Sequence, residues 1–318
     1  MTASNVEPQE RAVRYIIISL LRTIGSTFGH FIGGFIIALD PWFQEEQLFN
    51  YSGNFTVSIG LSILAILWAV FFVRDRGIEE DQKENEEKMT VNGNSSAWKT
   101  LKRVIDLENL SFSLKTVLKK REGNQRQLMW LMIFVVNLSL LPVFGKSAVI
   151  YPLVQKLYKW NAVVYSNLMS FSGLVHILCT VIVTPLLFKI FKPNDCQTVM
   201  VGIMAGFLAD VFIGSILTPY GFYLHAFISS LITLADTGAR AYLSKLIPKN
   251  EVSSMFAVTM VMEAVLKSIS AYMFAFLLKQ TISFYPTFVF HFMCILLIIA
   301  LVILVFVDLN TEYQTKKR

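Results

Sequence analysis

Charge is scarce in this chain. Asp, Glu, Lys and Arg supply 16% of its 318 residues, against about a quarter in an ordinary water-soluble domain, and so little charge cannot clothe a globular surface. Cysteine is scarcer still. Cys179, Cys196 and Cys294 match neither metal-ligand nor disulfide spacing, so they read as inert packing residues and no metal is expected. Also missing are H-E-x-x-H, G-x-S-x-G, a phosphate-cradling glycine loop and paired intramembrane aspartates, so the chain does not read as an enzyme and no cofactor is expected. The first fourteen residues, MTASNVEPQERAVR, are too polar for a cleavable signal sequence and the apolar run after them is too long for one; no cleaved leader is expected.

Apolar length is what the chain has in abundance: 54% of the residues are hydrophobic and the mean hydropathy is +0.56. Eight apolar runs, approximately 13–39, 55–73, 128–150, 163–190, 199–217, 220–243, 253–278 and 284–307, can each cross a hydrocarbon core about 30 Å thick at about 1.5 Å per residue. The predicted fold class is an all-α polytopic membrane bundle of about eight transmembrane helices, with the lipid bilayer as its solvent. The net charge of +6 is no nucleic-acid footprint, because the basic residues sort by membrane side rather than gathering on one face.

That sorting predicts topology. Arg11, Arg14, the twelve Lys and Arg of residues 74–126, Lys189, Lys192, Arg240, Lys245, Lys249 and the terminal Lys316, Lys317 and Arg318 fall on one side. The short connections opposite hold Lys156, Lys159 and Lys279, and residues 40–54 hold no Lys or Arg. Both termini and the long interval are therefore expected in the cytosol and residues 40–54 outside. The external segment carries the acceptor patterns Asn50-Tyr51-Ser52 and Asn54-Phe55-Thr56, with glycosylation expected at Asn50 and hindered by the membrane beginning at Phe55.

Two runs precede the charged interval and six follow it. Residues 1–73 are expected to form one unit of two transmembrane helices, 74–126 a cytosolic linker, 127–307 a six-helix unit and 308–318 a cytosolic tail. Within the linker, 77–96 reads as disordered. Residues 98–120 read either as an amphipathic helix on the inner leaflet, with Leu101, Val104, Ile105, Leu110, Leu114, Val117 and Leu118 on one face, or as a solvated charged stretch.

In the first run Gly25, Gly29 and Gly33 recur every four residues, followed by Gly34, and a helix face without side chains predicts close packing of a neighbour. Ionisable residues inside the runs each cost kilocalories unless they face a cavity or a partner: Arg22, Lys146, Asp210, Asp236, Arg240, Glu263 and Lys267, with His30, His176, His225 and His291. Ser229, Thr233, Asp236, Arg240 and Ser244 align as one polar stripe; Thr259, Glu263, Lys267 and Ser270 form another. The spacing allows the i,i+4 pairs Asp236–Arg240 and Glu263–Lys267. Two readings stand: structural ion pairs that let polar helices insert, or the lining of a substrate and proton pathway. His176 shares a face with Ser172 and Thr180, as a packing histidine or a proton relay. His225 and His291 receive no role, and Asp210 is expected in a local structural contact. Arg22, Lys146, Arg240 and Lys267 outnumber Asp210, Asp236 and Glu263, so a cavity lined by them prefers a small organic anion, and the carboxylates can exchange protons.

The stretch Gly29 to Gly34 resembles the glycine motif of the fifth helix of major facilitator superfamily transporters, with His30 where many members have proline. SNVEPQERAVRY is similar to a segment joining helices four and five, NFTVSIGLSILAILWAVFFVRDR to helix six, and LKKREGNQRQLMWLMIF to the lead into helix seven. The most specific stretch, RAYLSKLIPKNEVSSMFAVTMVMEA from Arg240 to Ala264, resembles the junction of helices ten and eleven in solute carrier family 46, which includes the proton-coupled folate transporter. Val252-Ser253-Ser254 stands where glycine is usual there. The resemblance implies helices five to twelve of a twelve-helix fold, with the first four not represented, and it implies proton-coupled symport by alternating access. It places Arg240 at an arginine implicated in transport. Plasma membrane and lysosome remain equal expectations, a homo-oligomer is left open, and the alternative is a shortened membrane protein that does not transport.

Overall fold

The computed structural model of the protein describes residues 8–43, 48–72, 124–248 and 251–317. The linker reading of 77–96 and the amphipathic reading of 98–120 lie outside the described residues. Among the described residues all regular structure is helical. In chain order the elements are α1 (Pro8–Ile37), α2 (Tyr51–Phe72), α3 (Gln125–Tyr158), α4 (Ala162–Leu178), a π turn (Cys179–Val183), α5 (Thr184–Phe191), α6 (Asp195–Ser215), α7 (Pro219–Ser229), a 3-10 turn (Ser230–Ile232), α8 (Thr233–Leu246), α9 (Val252–Thr281) and α10 (Phe288–Lys317).

Among the described residues seven helical segments, with α4 to α5 counted as one, are long and apolar enough to cross a membrane. The eighth expected span, 220–243, is present but broken into an 11-residue α7 and a 14-residue α8. The break has a local cause. Ser229 and Ser230 turn their hydroxyls back onto the carbonyls of Ala226 and Phe227, at 3.3 and 2.6 Å, and such back-bonding competes with the helical ladder.

Ends are set by the sequence. Asn161 caps α4 by accepting the Val164 N–H at 2.9 Å. Asn194 and Gln197 form a reciprocal capping box at α6, with Asn194 Oδ1 accepting from the Gln197 N–H at 2.7 Å and Gln197 Oε1 accepting from the Asn194 N–H at 3.0 Å. Helix α3 stops where Lys159 takes a left-handed conformation, φ 58°.

Helix α6 is the hub, packed by α7, α8 and α10, while α3 packs on α9 and α10, and α1 on α4. It is apolar around much of its circumference because it is covered on several sides. At Gly202 an added Cβ would run into the backbone of Ala235 on α8, so the contact requires glycine. Two buried clusters hold the bundle: one built on Met129, Met132, Ile203, Met255 and Leu297, the other on Leu153, Ile213, Phe222, Phe274, Phe290 and Met293. Helix α2 differs sharply, since Gly53 is its one buried residue and every side chain from Leu61 to Phe72 is exposed. Cys179, Cys196 and Cys294 are all buried and free.

Candidate functional site

Helix α8 is where polarity concentrates. Asp236 and Arg240 sit one turn apart, and Arg240 Nε donates to Asp236 Oδ1 at 2.8 Å. The second partner comes from another helix: Arg240 Nη2 donates to Glu263 Oε1 on α9 at 2.9 Å. The guanidinium also lies over the Phe256 ring, 5.8 Å from its centroid, a cation–π contact that orients the plane. One arginine thus holds two carboxylates on two helices, with its side chain 15% exposed.

This trio borders a cavity of about 260 Å³ whose wall also includes Arg22 and Thr23 of α1, Ser139 of α3 and His176 of α4. Five of the seven expected pathway residues, Arg22, His176, Asp236, Arg240 and Glu263, therefore meet in one place although up to 241 positions separate them in the chain. Two cations face two carboxylates there, so with His176 neutral the wall carries no net charge. The cation excess read along the spans does not gather at this cavity.

Lys267 and Lys146 explain the difference. Lys267 is exposed on α9 and lines neither this cavity nor the larger one described below; the expected Glu263–Lys267 pair is corrected, because Glu263 turns to Arg240 instead. Lys146 is buried and directs Nζ to Asp210 of α6, 2.6 Å from Oδ1. His225 Nδ1 stands 3.7 Å from the same oxygen. No spacing in the sequence links His225 to Asp210 and Lys146, since the three lie on separate helices and only packing brings them together. Ser229, the last residue of α7, and Ser244 of α8 bond to their own backbone, and Ser270 of α9 donates to the Leu141 carbonyl of α3 at 2.5 Å.

A second, larger cavity of about 810 Å³ lies further along α1 and α3, bounded by Gly29, His30 and Gly33, by Asn54 of α2, by Lys146 and Tyr151, and by Tyr165 of α4. The glycine face is divided. A Cβ at Gly25 or Gly29 would meet nothing within 4 Å among the described residues, so the close packing expected there is corrected; Gly29 instead borders this cavity. A Cβ at Gly33 would lie 3.2 Å from Asn54 Oδ1, and at Gly34 2.9 Å from Ser166 Cβ. There α1 and α4 do pack closely, and Ser166 Oγ donates to the His30 carbonyl at 2.6 Å.

Asn50 is fully buried as the cap of α2: its Oδ1 accepts the N–H of Gly53 at 2.9 Å and of Trp42 at 3.2 Å. Its Nδ2 is enclosed as well.

A family model described as Major Facilitator Superfamily matches residues 1–271. No curated protein matches the chain.

Proposed function

Because the chain belongs to the Major Facilitator Superfamily, a family of membrane transporters, we propose that it carries a small organic anion together with a proton, in the manner of solute carrier family 46. The charge count at the smaller cavity is the observation that carries this reading. Arg22 and Arg240 face Asp236 and Glu263, and a wall of zero net charge has no reason to concentrate an anion. One proton on Glu263 changes that. The carboxyl becomes neutral, its hold on Arg240 weakens, and the wall gains one positive charge that a single anionic group can neutralise. Anion and proton then enter as a pair. His176, on the same wall, is placed to pass or hold that proton, since imidazole changes charge near neutral pH.

The likeness of Arg240 to Ala264 to solute carrier family 46 supports the assignment to that family and to folates, steroid conjugates and similar anions as candidate substrates. Alternating access in this fold rocks one group of helices against another around a central site. Arg240 suits such a role because it ties α8 to α9 through bonds that a proton weakens. The domain division into residues 1–73, 74–126, 127–307 and 308–318 and the cytosolic placement of both termini belong to the same proposal.

The test is uptake of labelled folate and of a labelled steroid sulfate by proteoliposomes with an imposed inward proton gradient. Saturable uptake that collapses with the gradient is expected for at least one of the two. Its absence for both, from correctly inserted protein, would favour the shortened, non-transporting alternative.

A further inference from the structure

Asn137 of α3 is buried, with 8% of its surface exposed, and only half of its amide is satisfied. Its Nδ2 donates to the Ile133 carbonyl, one turn back on the same helix, at 2.7 Å. A carbonyl only accepts, so this bond settles which end of the amide is nitrogen and leaves the oxygen facing the other way. Among the described residues Oδ1 meets no donor. A buried acceptor without a donor is costly, and such a group calls for an explanation.

The explanation lies where α3, α8 and α9 meet. Asn137 borders a small void there of about 10 Å³, room for about one water molecule. The other polar side chains on its wall are Asp236, Arg240, Thr259 and Glu263. A buried water needs two to four polar partners, and this wall supplies them. Thr259 spends its hydroxyl hydrogen on the Phe256 carbonyl at 3.0 Å, so towards the void it offers an acceptor. Arg240 directs Nε to Asp236 and Nη2 to Glu263. Acceptors therefore dominate the wall, and a molecule that fills it must bring hydrogens of its own.

We infer that this void is a binding site for a single water molecule, fixed by Asn137 Oδ1 and in contact with the Glu263 carboxyl, and that Asn137 is thereby a positioning residue for the proton that Glu263 takes up. The inference rests on the proposed protonation of Glu263. Because Oδ1 only accepts, it claims one hydrogen of the water and leaves the second hydrogen and a lone pair for the carboxyl. While Glu263 is ionised, that second hydrogen goes to a carboxylate oxygen. When a proton from solution adds to Glu263, the new O–H needs an acceptor, and the water turns its lone pair to it without giving up its bond to Asn137. One water thus serves both protonation states, and no heavy atom has to move. The charged and titratable groups facing Glu263 are Arg240 and Asp236 from α8, Arg22 from α1 and His176 from α4, with Lys267 exposed one turn along α9. Arg22, Arg240 and Lys267 only donate, so none of them can take the acid hydrogen, and Asp236 is held by Arg240 Nε.

Infrared difference spectroscopy of the purified full chain in liposomes, stepped from neutral to acidic pH, tests this. It reads the C=O stretch of a newly protonated carboxyl, whose frequency rises when its O–H loses a hydrogen-bond partner. In the wild type, acidification should raise a carboxyl band that Glu263→Gln abolishes, together with a water O–H band that moves on exchange into heavy-oxygen water. Asn137→Leu, which keeps the branched shape of the side chain and removes its acceptor, should retain the carboxyl band at a higher frequency and lose the water band. Asn137→Ser, whose hydroxyl still accepts, should bring the carboxyl band back towards the wild-type frequency, with thermal melts as the check on folding in both. A carboxyl band lost in Glu263→Gln but unmoved in Asn137→Leu would overturn the inference while leaving the proposed function standing. A band displaced equally in the Leu and Ser variants would also overturn it, because packing rather than the acceptor would then be the cause. A band that survives in Glu263→Gln would take the proton away from Glu263, and both this inference and the proposed coupling step would fall.

Discussion

Arg240 and Glu263, 23 residues apart in the chain, are joined at 2.9 Å, so that a guanidinium on α8 is shared between a carboxylate of its own helix and one on α9. Arg240 is the cation that keeps Asp236 and Glu263 together. Removing it leaves two carboxylates facing each other at a partly buried site, where loss of one partner of an ion pair is costly. In uptake assays corrected for surface expression, Arg240→Ala should lower gradient-driven anion uptake by about tenfold or more. Near-normal uptake would assign the trio to structure alone.

Glu263→Gln keeps an oxygen to accept from Arg240 Nη2 but cannot take up a proton or hold a negative charge. Gradient-driven uptake should fall, whereas exchange of labelled for unlabelled anion at equal pH on both sides should persist, since the wall is then fixed in its positive state. Proton-driven uptake unchanged in this variant would remove Glu263 from the coupling step.

The two pairings open to Glu263 can be separated by double-mutant cycles on thermal stability. Arg240 with Glu263 should show a coupling of about 1 kcal/mol or more, and Glu263 with Lys267 about zero. A reversed order would mean that the i,i+4 pair, not the bond between α8 and α9, is what the protein forms.

Asn50 should be unglycosylated and structural. Asn50→Ala removes the acceptor for the Gly53 N–H and is expected to cost about 1 kcal/mol, the usual cost of losing an N-cap. A band that shifts on glycosidase treatment in the wild type and not in Asn50→Ala would contradict the buried cap.

The glycines of α1 should behave unequally. Gly25→Ala and Gly29→Ala have open space for the new methyl, whereas Gly34→Ala brings it against Ser166 and should destabilise by about 1–3 kcal/mol through overpacking. Thermal melts of the three variants in detergent give the comparison.

Period and composition were enough to make the chain an all-helical membrane protein, because a backbone in lipid must satisfy its hydrogen bonds within each segment, and a run of some twenty apolar residues has no alternative. Local spacing likewise made the Asp236–Arg240 contact legible, since i and i+4 share a helix face whatever surrounds them. Partner choice between helices was not legible. Glu263 had Lys267 four residues away and took Arg240; Lys146 stood in line for the same pathway as Arg240 and went to Asp210; His225, at the edge of a span, joined them. The glycine repeat looked uniform, yet only Gly33 and Gly34 meet a neighbour. Periodicity fixes which direction a side chain points from its own axis, but which group waits there depends on the rotation and depth of other helices, and those are decided by packing across the whole bundle.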